Sequence, residues 1–62
     1  SPEHILKVAR IVDKKMRQIE ERLPRLAIHQ IAILAALNLA DELEKLREEQ
    51  ETLLQLIEEQ DK

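Results

Sequence analysis

Lys7, Arg10, Lys14 and Arg17 recur at intervals of three, four and three residues. On a helix that spacing places four cations on one face, with Lys15 and Arg22 nearby. Such a face can dock an acidic partner; the plainer reading is a solvated surface. Phosphate contacts would need only Lys and Arg. Nucleic acid is nevertheless a poor fit. The chain has no Phe, Tyr or Trp on which a base could stack. Residues 41–62 also carry three basic and nine acidic side chains, net −6, which repels phosphate.

Other chemistry is hard to assemble from these residues. There is no cysteine, hence no disulfide and no thiolate metal site. His4 and His29 are too far apart to offer metal-ligand spacing; His4 reads as solvated and His29 as a junction residue. Glu48, Glu49 and Glu51 are a poor metal site, since neighbouring carboxylates on a helix point apart. No Gly-rich phosphate loop and no nucleophile–base pair is present, and 62 residues cannot wall a pocket. The reading is a non-enzyme without cofactor or metal.

What must position the basic face is a helix. The chain has no glycine and is rich in Leu, Ala, Glu, Lys, Arg and Gln, which are strong helix formers. Ser1-Pro2-Glu3 is a helix start: a cap, a proline suited to the first helical position, and an acid at the positive end of the dipole. Ile5, Ala9, Val12, Met16, Ile19 and Leu23 then make one apolar stripe, spaced 4-3-4-3-4. Met16 reads as core. Pro24 ends the stripe, because proline disfavours helical geometry in the residue before it. The expected division is a first helix over 1–23, a link over 24–27 and a long second helix over 28–61. The short link suits an antiparallel hairpin. Without a glycine to cap the first helix, a single helix kinked at Pro24 stays open.

Residues Ile31 to Ala40, IAILAALNLA, are apolar on every side of a helix, so that stretch must be buried. It is half the length of a membrane span. With no signal peptide, a soluble protein of the cytosol is expected. The second helix should be roughly 50 Å long and the first roughly 32 Å. Folded back, the first can cover the second only to about Glu48. Leu53, Leu54, Leu56 and Ile57 then lack a partner in their own chain. Burying them is worth on the order of 6–12 kcal/mol before entropy costs. Leu39, Leu43, Leu46, Gln50, Leu53 and Ile57 form a heptad seam flanked by Leu54 and Leu56, which suits a bundle of three or four helices. Ile31, Leu34, Ala35 and Asn38 join the expected oligomer core. Asn38 either fixes register inside that seam or sits at its rim. Asp41 to Glu51 form a charged face, with Lys45 and Arg47 placed for i,i+3 and i,i+4 pairs. The expectation is an all-α single oligomerisation domain: an antiparallel two-helix hairpin with a long protruding C-terminal coiled-coil helix, assembling as dimer and then tetramer. Net +3 in residues 1–30 against −6 in the tail favours antiparallel contacts between copies.

The segment Leu23 to Leu43, LPRLAIHQIAILAALNLADEL, resembles the signature of the ZapA family of bacterial division proteins. Upstream, SPEHILKVARIVDKKMRQIEERLP resembles the same family, with Val12, Asp13, Lys15, Met16 and Arg17 matching its pattern and Lys14 at a variable position. The resemblance implies small α/β dimers that pair into tetramers through a long C-terminal helix. It also implies binding to the tubulin-like division GTPase FtsZ and cross-linking of its filaments. The basic face would then be the FtsZ dock. Two departures stand out. The family opens with a β-hairpin that is missing here, and the polar cap before the second helix is replaced by Ala27-Ile28-His29-Gln30. Both suit a truncated or engineered core, for which the competing reading is a purely structural self-assembling bundle.

Overall fold

The computed structural model describes residues 1–60. It holds two helices, α1 (Pro2–Arg22) and α2 (Ile28–Gln60). The expected end of the second helix at residue 61 lies outside the described residues.

Each boundary follows from a few local bonds. Ser1 caps α1, its hydroxyl oxygen accepting from the His4 N–H at 3.3 Å. Pro2 opens the first turn and Glu3 lies within it, where neither a missing N–H nor a negative charge is a cost. At the other end Leu23 turns extended, with φ −131° and ψ 70°, as a residue before proline must. Its N–H still closes the last turn onto the Ile19 carbonyl at 2.8 Å. The Leu26 N–H then donates to the Leu23 carbonyl at 3.3 Å, closing a turn with Pro24 at its second position. No described residue has positive φ, so the helix is stopped by proline and not by a left-handed cap.

The start of α2 corrects the impression of an uncapped junction. Gln30 reaches back, and its side-chain oxygen accepts from the Ala27 N–H at 3.0 Å. This is one arm of a capping box, the arm supplied from the third helical residue. The Ala27 carbonyl accepts the first α2 bonds, from Gln30 at 3.0 Å and Ile31 at 3.1 Å.

The two helices meet at the link end. Ile19, Ile31 and Ala35 form the buried cluster, with Met16 and Leu26 partly buried against it. Lys15 Nζ lies 2.6 Å from Glu42 Oε1. Stepping back along α1 from Ile19 to Lys15 therefore means stepping forward along α2, so the helices run in opposite directions. A continuous kinked helix is excluded. Ala35, only 2% exposed, lets the backbones approach where Ile19 packs.

Burial ends sooner than the helix lengths suggest. Every described residue from Ala40 onward is exposed, and so is every residue from Ser1 to Lys14. Cover thus stops at Leu39, three residues before the salt-bridged Glu42, and not near Glu48. The overall extents of 55 × 29 × 15 Å give the reason. Two helices lying side by side at 8–10 Å axial separation would be narrower than 29 Å, so α1 leaves α2 at an angle. Its first half is a free arm.

Candidate functional site

Three surfaces stand on this frame. The first is the basic face of α1. Lys7, Arg10, Lys14 and Arg17 are all exposed, and by helical rotation they lie on the side turned away from Met16 and Ile19. Arg17 is engaged by Asp13, Nε to Oδ2 at 3.0 Å, one turn earlier. Lys7, Arg10 and Lys14 have no ion-pair partner among the described residues. Lys15 is different: its side chain is 17% exposed and points to α2. The run Lys14-Lys15 therefore divides, one cation outward and one inward.

The second surface is the seam of α2. Residues 31, 35, 39, 43, 46, 50, 53 and 57 keep to one face by steps of three and four. Ile31 and Ala35 are buried under α1, and Leu39 is half-buried. They belong to the contact within the chain. Past them the same stripe is bare: Leu43, Leu46, Leu53, Leu54, Leu56 and Ile57 are 49–58% exposed. A monomer this small does not keep such a strip in water without a use for it. Asn38 is exposed and shares a polar cleft with Lys15, Gln18 and Arg22 of α1. In a single chain it is a rim residue.

The third surface was not singled out by the heptad. Ile33 and Leu37, 58% and 63% exposed, lie across α2 from Ala35, with Leu34 beside them. The continuous apolar run held this signal, since a helix greasy all round must present apolar residues opposite its seam. Counting a seven-residue repeat passes over them.

The tail carries the expected charge pairs: Lys45 to Asp41 at 2.9 Å and Arg47 to Glu44 at 3.5 Å. The hydrogen bond that Lys45 donates to the Asp41 carboxylate, and then the charge of Asp41, raise the Lys45 pKa above the ordinary 10.5. His4 and His29 are exposed. Among the described residues no three His, Cys, Asp or Glu side chains gather closely enough to hold a metal. No described helix is long and apolar enough to cross a membrane. Among the described residues the arrangement consists of one exposed basic face and two exposed apolar ones.

The model of a family described as cell division protein ZapA matches residues 1–62. The chain belongs to the ZapA family. A ZapA from Geobacillus sp. (strain WCH70) is 49% identical over 55 residues, covering 89% of this chain and 63% of that protein. ZapA of Bacillus licheniformis is 46% identical over 61 residues, covering 98% of this chain and 72% of the relative. ZapA of Bacillus subtilis (strain 168) is 43% identical over 58 residues, covering 94% of this chain and 68% of the relative. The chain thus spans between about three fifths and three quarters of these ZapA proteins. No solved structure gives a significant match. The chain is thus a homologue of proteins that each bear the name cell division protein ZapA.

Proposed function

We propose that the chain is a division-ring accessory that assembles through α2 and cross-links FtsZ filaments through the basic face of α1, acting in the cytoplasm. One observation carries the reading: a single stripe of α2 is covered by α1 up to Leu39 and bare from Leu43 to Ile57. Where α1 leaves off, the stripe calls for another helix, and a second copy supplies one of matching pattern. Ile33, Leu34 and Leu37 give a second apolar contact at the base of α2, suited to pairing two chains. Two such dimers then join by their tails, most simply antiparallel, since the acidic tail is drawn to the basic end of the opposing pair. The product is a tetrameric rod with basic arms at both ends. Lys7, Arg10 and Lys14, unpaired and outward, dock acidic filament surface together with Arg17. Each contact is weak, and the rod supplies the effective concentration that makes a cross-link.

Pelleting with FtsZ and GTP at low and high salt tests the reading. Co-sedimentation at low salt, reduced by salt and abolished by Lys14→Glu with Arg17→Glu, is the expected result. Absence of co-sedimentation at every salt concentration leaves only a self-assembling bundle. In parallel, light scattering across a concentration series should give the mass of a tetramer falling to smaller species on dilution.

A further inference from the structure

We infer that Lys15, through its ion pair with Glu42, is a positioning residue that sets the direction of the α1 arm, and hence of its cationic face, relative to the α2 rod. The buried cluster of Ile19, Ile31 and Ala35 is small and lies at the link end of the hairpin. By itself it is a pivot. From Lys15 to Pro2 the arm extends about 20 Å, and all of it before Lys15 is exposed. A second tie away from the pivot is what converts a hinge into a bracket. Lys15 is placed for this. Its ammonium is 2.6 Å from Glu42 Oε1, and the two side chains are 17% and 52% exposed. It stands one helical turn from Ile19, and Glu42 two turns from Ala35. Around the pair lie Ile11, Lys14, Gln18 and Leu39. Leu39 is half-buried and gives the lysine stem an apolar bed. Lys14 lines the same cleft but is exposed, and among the described residues the only ion pair of Glu42 is with Lys15. The arm holds Lys7, Arg10 and Lys14, so its angle decides where those charges sit at each end of an assembly. A pair this exposed biases orientation by up to about fivefold, enough to tune docking without being needed for folding.

The chain has no cysteine, so His4→Cys and Glu51→Cys can carry a pair of spin labels that report the distance between arm and rod. Labelled chains are diluted into an excess of unlabelled ones so that only distances within a chain are read. The expected result is a narrow distribution that broadens in Glu42→Gln and in Lys15→Met, which keeps most of the stem, and narrows again in the charge exchange Lys15→Glu with Glu42→Lys. Raised salt should broaden it as the single variants do. The second readout, FtsZ pelleting, rests on the functional reading above: it should weaken about two- to fivefold in the single variants and recover in the exchange. An unchanged distribution in both single variants overturns the inference, as does an exchange that fails to restore it, whatever the pelleting shows. Loss of pelleting with an unchanged distribution would make Glu42 or Lys15 a contact residue and would equally overturn it. A chain that never pellets with FtsZ removes the proposed function, and the distance arm still decides the role of Lys15.

Discussion

Two adjacent lysines show how much a single step along a helix changes. Lys14 points to solvent and Lys15 to Glu42, because 100° of rotation separates them. The sequence shows both as members of one basic stretch, and the division between them depends on which face of α1 meets α2. Ala35 is equally sensitive. At 2% exposure it stands where the helices come closest, so Ala35→Leu should overpack the contact and cost about 1–3 kcal/mol. Leu37→Ala, across the helix, should leave the hairpin intact and weaken association instead. Urea unfolding at one fixed chain concentration, beside sedimentation, separates the two effects. Lys45 makes a pH prediction. Its folded pKa lies above 10.5 because Asp41 bonds and attracts it. Its contribution to the helix is complete below the ordinary lysine value and disappears as pH rises through the raised one. Helicity of the tail should hold through neutral pH and fall above the lysine range, and Lys45→Met should remove that alkaline step.

Both helices were legible because their signals are long and local. The stripe from Ile5 to Leu23 and the Ser-Pro-Glu start describe α1 almost to its caps, and Pro24 marks the break. What escaped was the cap of α2. Ala27 has no side-chain acceptor, so the junction reads as unprotected, yet Gln30 closes half of a capping box from the other side. The reciprocal half is still missing. Ala27→Ser should supply it, its hydroxyl accepting a first-turn N–H, and stabilise the chain by about 1 kcal/mol. Gln30→Ala should lose a comparable amount. If the urea midpoint moves by neither change, the α2 cap has been misread. The extent of cover was also illegible. Helix length bounds how far α1 could reach, but the crossing angle decides how far it does, and that angle comes from the shapes of Ile19, Ile31 and Ala35 in contact. Periodicity carries no information about such a meeting of surfaces.

Taken as a body, the chain is a rod with an arm, 55 Å in its longest extent, with most of its large apolar side chains in water. The family relationship was readable from the Ala-Ala-Leu-Asn-Leu-Ala run and the upstream Val-Asp-Lys-Lys-Met-Arg, and the matches over 79–98% of the chain among the similar ZapA proteins bear it out. The proposed assembly makes its own prediction. Leu53→Asp with Ile57→Asp should convert tetramer to dimer by light scattering while the head stays helical by circular dichroism. A tetramer that survives both substitutions would falsify tail-driven assembly. Placing the same charges at Ile33 and Leu37 should act earlier, dissociating the pair at the base.

The crowding of internal contacts around the Pro24 turn also governs how the molecule comes into being. Two helices that touch only near their connection are close in sequence wherever they are close in space, and such local topologies fold in microseconds to milliseconds. Refolding should therefore show a rapid gain of ellipticity that is indifferent to dilution. Any slower phase is the encounter of separate chains, and its rate should climb in proportion to how many are present.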